Sequence, residues 1–210
     1  MLEAVIWDFG GVLTTSPFEA FTRFETARGL PADLIRRTNA ANHLENAWAK
    51  FERAEIDIDA FDEMFAAESR ALGAEVRGRD VLPLLAGELR PEMVEALKRI
   101  AATLKTGCIT NNLPANAIGS LGGSFYVGQV MALFDHVIES AKIGLRKPDP
   151  KIYRMMVEAL GVDPSACVYL DDIGVNLKPA REMGMKTIKV LDATQAIIDL
   201  EDATGLALRS

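Results

Sequence analysis

The sequence is poor in cysteine, poor in positive charge and free of long apolar runs, and each shortage removes a class of protein. Its two cysteines, Cys108 and Cys167, lie inside apolar runs where small buried thiols normally sit, and such a pair does not make a disulfide framework. The 23 lysines and arginines are outnumbered by 30 aspartates and glutamates, leaving a net charge of -7. A nucleic-acid partner, which selects a basic face, is disfavoured. No apolar stretch approaches the roughly 20 residues of a membrane helix, so no membrane partner is expected. Met1-Leu2-Glu3 runs straight into a strand with no cationic leader and cleavage site, and the reading is a cytoplasmic protein. Internal repeats and low-complexity segments are also lacking. What is present, 210 residues of which 49% are hydrophobic, suffices for one domain carrying a large insertion, or for two small ones.

Along the chain, the apolar run Ala4-Val5-Ile6-Trp7 reads as a short buried strand that stops on Asp8 before the turn Gly10-Gly11. Ser16-Pro17-Phe18-Glu19 reads as a helix start, with a serine cap, a proline in the first turn and a glutamate three residues after the cap. From Gly29 to about Ala86 the pattern is helical throughout: Ala32 to Ala41, Leu44 to Ala54, Asp59 to Leu72 and a shorter piece before Gly87. After Arg90-Pro91 helices and strands alternate. Helices are expected over Pro91 to Thr103, Asp149 to Leu160, Val175 to Met183 and from Asp192 onward. Strands are expected over Leu104 to Ile109, Phe134 to Glu139, Ala166 to Leu170 and Lys186 to Val190. The glycine-rich stretch Gly119 to Gly128 reads as a surface loop. Alternation of this kind predicts an α/β fold with a parallel sheet between helices. Residues 1–15 and 90–210 then form one core, and residues 16–89 are an all-helical cap inserted into it.

Four groups of polar residues fall at or just beyond strand ends. Asp8 follows the first strand and is a nucleophile or a turn cap. Thr110-Asn111-Asn112 offers a hydroxyl and two amides to an anion, or caps a following helix. Lys147 sits in Arg146-Lys147-Pro148-Asp149-Pro150, as a site cation or a solvated charge. Asp171-Asp172 ends the strand Val168-Tyr169-Leu170, with Asn176 close behind. One sheet edge collecting all four is hard to ascribe to capping alone, because open α/β sheets bind ligands there. As chemistry the set is coherent: acidic oxygens suit Mg2+, the metal and Lys147 neutralise a phosphate, and Asp8 attacks phosphorus.

The same residues, in the same order, resemble the motifs of the haloacid dehalogenase-like (HAD) hydrolase superfamily. The first motif resembles Asp8-Phe9-Gly10-Gly11-Val12-Leu13-Thr14 and the second Cys108-Ile109-Thr110-Asn111-Asn112. The third resembles Lys147-Pro148-Asp149-Pro150, after the lead-in Phe134-Asp135-His136-Val137-Ile138-Glu139-Ser140, and the fourth Tyr169-Leu170-Asp171-Asp172. The tail Leu170 to Arg181 is most similar to the N-terminal phosphatase-like domain of soluble epoxide hydrolases, and no epoxide hydrolase domain is expected after Ser210. The resemblance implies a Rossmann-like core with a mobile helical cap and hydrolysis of a small phosphorylated substrate. It makes Asp8 the nucleophile, has Thr110 and Asn111 hold the phosphoryl group, and has Lys147 orient both. It places Mg2+ between Asp8, the backbone carbonyl of Gly10 and Asp172, with Asp171 a further candidate ligand and Asn176 on a metal-bound water. Phe18, Phe21, His43, Trp48 and Phe51 of the cap would meet the leaving group, although helical spacing alone assigns most of these aromatics to a core. Homodimerisation is left open.

One position departs from the family pattern. Two residues after the nucleophile the phosphatases generally carry an aspartate, the general acid, and here Gly10 stands in its place. The metal site keeps the backbone oxygen but the proton donor is gone, a loss of roughly 10²- to 10⁴-fold for poor leaving groups. His43 could supply a replacement acid. Two other readings stay open: a 2-haloacid dehalogenase, which usually has an aromatic residue at this position and needs no metal, and a phosphate-binding regulatory protein with little turnover.

Overall fold

Residues 1–114 and 125–209 are described by a computed structural model. Five strands, β1 (Ala4–Trp7), β2 (Lys105–Thr110), β3 (His136–Glu139), β4 (Cys167–Asp171) and β5 (Lys186–Lys189), form one sheet in the order β3-β2-β1-β4-β5. Every pairing is parallel, as strands joined through helices require. β1 is central and apolar throughout because both of its faces are covered. Val5 and Trp7 pack with Met93, Leu97, Ile100 and Leu200 on one side of the sheet. Ala4 and Ile6 pack with Ile152, Tyr153 and Leu177 on the other. The chain runs from β1 outward through β2 to β3 and then returns to β4 on the opposite side of β1. Where strand order reverses in this way, neighbouring connections part and leave a crevice beyond the carboxyl ends of the strands. Here that place lies between β1 and β4.

Between β1 and β2 the chain forms α1 (Phe18–Ala27), α2 (Leu34–Ala40), α3 (Ala47–Glu52), α4 (Ile58–Ala71) and α5 (Gly78–Val81), followed by a 3-10 turn, Leu82–Leu85, and α6 (Pro91–Ala101). Asn46 and Asp57 start α3 and α4 by accepting the backbone N–H of Ala49 and Ala60, each at 2.8 Å. The insertion gathers a separate apolar cluster, with Phe21, Leu34, Ile35, Phe51, Phe61 and Phe65 at its centre, which Leu113 joins from the segment after β2. Phe51 stacks on Phe61 at 4.4 Å, and Trp48 meets Phe61 edge-on at 5.5 Å. Its two connecting segments are zipped together. Thr14 bridges Leu89, Thr15 N–H donates to Glu88 O at 2.8 Å, and Arg90 N–H donates to Leu13 O at 2.8 Å.

Local expectations are corrected in three places. Ser16 does not cap α1: Pro17 already has helical backbone (φ -70, ψ -9), and the Ser16 hydroxyl, left behind it, is buried without a hydrogen-bond partner among the described residues. α3 starts at Ala47 and not at Leu44, because Asn46 supplies the cap and Asn42 turns the preceding segment at φ 45. Of the glycine-rich stretch read as a loop, residues 119–124 lie outside the described residues, and the remainder opens a helix, Phe125–Met131. A short helix, Ser140–Ile143, was not anticipated.

The insertion's own core generates a test. Phe61 is fully buried and touches both Phe51 and Trp48, so Phe61→Ala should cost about 3 to 5 kcal/mol of stability in denaturant unfolding. A loss below about 1 kcal/mol would mean that the aromatic cluster contributes little to folding.

Candidate active site

The carboxyl ends of β1, β2 and β4 bring the predicted residues together around one ammonium group. Lys147 is 1% exposed, and its Nζ lies 2.8 Å from Asp8 Oδ1 and 2.8 Å from Asp171 Oδ2. Asp8 Oδ1 also accepts the Phe9 backbone N–H at 2.7 Å, whereas Oδ2 has no hydrogen bond among the described residues. One oxygen of Asp8 is thus fixed and the other is open.

Asp171 is the most heavily engaged group in the site. Oδ2 accepts from Lys147 Nζ and Tyr169 Oη, Oδ1 accepts the Ile173 backbone N–H at 2.8 Å, and Asn176 Nδ2 lies 3.1 Å from both oxygens. A carboxylate has about four lone-pair sites, and four donors occupy them. Asp171, expected as a further metal ligand, is one of the three clustered carboxylates, and its hydrogen bonds also make it the anchor of Lys147. Asn176 was expected on a metal-bound water, and its amide nitrogen is committed to Asp171. The Tyr153 hydroxyl completes the layer by donating to Asn176 O at 2.6 Å.

Asn111, expected to hold the phosphoryl group, makes two contacts to the backbone of Lys147. Its Oδ1 accepts the Lys147 backbone N–H at 2.8 Å and its Nδ2 donates to Lys147 O at 3.1 Å. The side chain therefore clamps the backbone of the lysine and retains one N–H of its amide for a further acceptor. Asn112 staples the same loop to the next strand through Glu139, Ser140 and the Ala141 backbone N–H. Thr110, half-buried at the end of β2, keeps a side-chain hydroxyl with no hydrogen bond among the described residues.

The two glycines after Asp8 have different physical roles. Gly11 has φ +76, and a Cβ there would meet Asp172 Oδ2 at 2.2 Å, so only glycine lets the turn pass under that carboxylate. Gly10 is exposed, lies outside the left-handed region, and an added Cβ would meet nothing within 4 Å. A side chain at this position is therefore not excluded by sterics at its Cβ.

Oxygen atoms of Asp8, Asp171 and Asp172 all lie within 4.8 Å of one another. Burial pushes Asp8 well above the usual carboxylate range, and Asp171 and Asp172 add to this against the pull of Lys147. Burial and then Asp171 push Asp172 up to about 6, although Lys147 and Arg90 oppose them. For Lys147, burial alone would favour the neutral amine, but Asp171 and Asp8 outweigh it and hold the ammonium charged. Three carboxylates share a single ammonium, so the cluster is short of positive charge.

Of the cap residues expected near the substrate, Phe21 and Phe51 are buried in the insertion's core, and Phe18 and Trp48 pack against it. His43 is exposed in the turn between α2 and α3 and is not on a helix; its backbone carbonyl accepts from Arg146 Nη1 at 2.7 Å. Arg146 also pairs with Glu52, a contact across 94 residues that no sequence pattern announces. The Tyr169 contact had a signal, since residues two apart on a strand share a face.

Comparisons with known proteins place the chain among related sequences and folds. The profile of the haloacid dehalogenase-like hydrolases matches residues 2–184. The chain is 32% identical over 212 residues to acyl-CoA dehydrogenase family member 10 of Mus musculus, and 29% identical over 216 residues to bifunctional epoxide hydrolase 2 of Mus musculus. These matches cover 98% and 97% of the chain, which spans only 19% and 39% of the respective relatives. A phosphatase of Mycobacterium tuberculosis is 30% identical over 203 residues, covering 90% of the chain and 87% of that protein. Among solved structures, a HAD family enzyme of Bacteroides thetaiotaomicron in complex with magnesium and inorganic phosphate aligns at TM-score 0.60 and 18% identity, over 90% of this chain and 94% of that one. L-2-haloacid dehalogenase of Xanthobacter autotrophicus, with chloropropionic acid covalently bound, aligns at TM-score 0.61 and 19% identity, over 99% and 86%. Both of these likenesses are of fold.

The electrostatics of Asp172 make a prediction with a definite sign. Folded Asp172 keeps its proton up to about pH 6, whereas an ordinary aspartate releases it near 3.8. The folded state thus binds more protons between those values, and the contribution of Asp172 to stability is lost as pH rises through about 6. In chelator, Asp172→Asn should match the wild type at low pH and be more stable by about 3 kcal/mol at neutral pH. Unfolding curves at both pH values check this, and a difference that does not grow with pH would remove the strain assigned to Asp172.

Proposed function

The chain belongs to the haloacid dehalogenase-like hydrolase family, and on that basis we propose that it is a Mg2+-dependent phosphatase acting on a small phosphorylated metabolite, with Asp8 as the nucleophile. The observation that carries this reading is the charge balance of the site: one buried ammonium, paired with Asp8 and Asp171, in a cluster of three carboxylates, with one Asp8 oxygen left open. The curated relatives include a protein named a phosphatase.

The donors fit Mg2+. They are hard oxygens, they lie close together, and they lack compensating charge. Asp8, Asp172 and the backbone carbonyl of Gly10 would hold the ion, while Asp171, saturated by its four donors, anchors Lys147 beside them. Bound there, Mg2+ would neutralise charge on the phosphoryl oxygens.

In the proposed reaction Asp8 Oδ2 attacks phosphorus, a new P–O bond forms, and the bond to the leaving oxygen breaks with its electron pair. That oxygen takes its proton from solvent, because Gly10 carries no donor. Water then attacks phosphorus, the bond to Asp8 breaks, and inorganic phosphate leaves with the carboxylate restored. Lys147 fixes Asp8 Oδ1 and thereby aims Oδ2, and the unpartnered Thr110 hydroxyl donates to a phosphoryl oxygen. Residues 16–89 act as the cap over the leaving group. A cytoplasmic setting belongs to the same reading, supported by two free, buried cysteines.

Three measurements test the proposal. Phosphate release from esters should require Mg2+, and halide release from 2-haloacids should be absent; the reverse pattern would select the dehalogenase. Asp8→Asn should abolish turnover with the fold intact, and a variant retaining more than about a tenth of wild-type kcat would take Asp8 out of its role. Gly10→Asp should raise kcat for alkyl phosphates more than for aryl phosphates, by at most about 10²- to 10⁴-fold. The open space at Gly10 makes this substitution free of backbone strain, so equal gains on both substrate classes would mean that another group already protonates the leaving oxygen.

A further inference from the structure

The cap and the site lysine are joined by a pair of charges that the proposed chemistry does not use. Glu52, the last residue of α3, is 6% exposed, and its Oε2 accepts from Arg146 Nε at 2.6 Å. Its other oxygen accepts Trp48 Nε1 at 2.8 Å, and Trp48 packs on Phe61 in the insertion's core. Arg146 Nη1 reaches back to His43 O, so the guanidinium holds both the turn before α3 and the end of it. The residue after Arg146 is Lys147, whose backbone is clamped by Asn111 and whose Nζ sits between Asp8 and Asp171.

Such an ion pair is costly to leave half-made. Burial pushes the Glu52 carboxyl up, and Arg146, then Trp48, pull it back. With its side chain 8% exposed against 16% for Arg146, Glu52 cannot exchange its partner for water without moving α3. The pair is also the point where the insertion meets the loop of Lys147. A displacement of α3 away from that loop must either break it or pull on the residue bonded to Lys147.

We propose that Glu52 and Arg146 are positioning residues that couple the placement of the helical insertion to the pose of Lys147, so that the ammonium is held between Asp8 and Asp171 only while the insertion is docked. The consequence for turnover rests on the phosphatase reading; the coupling itself does not. Neither residue touches the reacting atoms. The chain of contacts runs from Phe61 through Trp48, Glu52 and Arg146 to the Lys147 peptide, and each link is a hydrogen bond, a packed ring or a covalent bond.

The test is a double-mutant cycle read by amide hydrogen exchange on the full chain, using Glu52→Gln, Arg146→Gln and the pair. Glutamine at 52 keeps an acceptor for Trp48 while removing the charge. Each single variant should speed exchange of the Lys147 amide, now bonded to Asn111 Oδ1, and of residues 41–46 by roughly tenfold or more, as expected when a buried pair loses one partner. The double variant should be no faster than the faster single one. Arg146→Lys, which keeps the charge, should recover much of the protection, and it replaces Arg146→Gln if that variant does not fold. With Mg2+ and p-nitrophenyl phosphate, Glu52→Gln should lower kcat several-fold with little change in KM, the pattern of a misplaced catalytic group. Arg28→Gln, which breaks an exposed pair with Asp80 inside the insertion, should alter none of these readouts. Faster exchange at 41–46 with an unchanged Lys147 amide, or additive effects in the cycle, would overturn the coupling. If the wild type hydrolyses no phosphate ester, the phosphatase reading fails and the exchange cycle still decides the coupling.

Discussion

A single ammonium buried between two carboxylates organises this molecule. Lys147 can remain charged out of contact with water only because Asp8 and Asp171 face it, and Asp171 can face it only because Tyr169, Asn176 and the Ile173 N–H hold the carboxylate in place. These partners come from the ends of β1 and β4, the two strands that flank the reversal in strand order. The parallel sheet therefore supplies the distance between the two carboxylates, and the loop clamped by Asn111 supplies the cation. Loss of any one element would leave buried charge without compensation, which is far costlier than the loss of one ordinary contact.

Much of this was legible in the sequence because the signals were local. A short apolar run ending on Asp8 before two glycines, and another ending on Asp171-Asp172, state where strands stop, and parallel strands stop on one edge. Alternation also places Tyr169 on the same face as Asp171. Other parts could not be read because they join residues far apart in the chain. Asn111 looked like a ligand, and only the fold sets its amide against the backbone of Lys147, 36 residues on. Glu52 was an unremarkable residue of a helical pattern until the insertion was set beside Arg146. Gly10 and Gly11 look alike in the sequence, and the structure separates them: one passes beneath Asp172, the other faces open space.

The contrast between those glycines bears on how fold and chemistry relate. Structures as different in chemistry as a magnesium and phosphate complex and a haloacid dehalogenase share this architecture. The fold fixes where Asp8, an ammonium and an acidic pair can meet, and single side chains around that meeting point decide what is done with them. At Gly10 the architecture has room for a side chain that this sequence does not supply.

The zipped neck at residues 13–15 and 88–90 has a consequence for how the chain reaches its fold. β1 leaves the ribosome before the other strands of the sheet, and its two neighbours, β2 and β4, begin only at Lys105 and Cys167. The helical insertion, by contrast, draws every buried member of its apolar cluster except Leu113 from residues 21–82, so most of that cluster can form while Ala4-Val5-Ile6-Trp7 is still unpaired. Once it has, the pairing of Thr14 with Leu89 replaces a long flexible loop with a short rigid bridge between β1 and the segment leading to β2. The search for the central strand's first partner then resembles the closing of a short connection, whose entropic cost is small, and not that of a loop as long as the whole insertion.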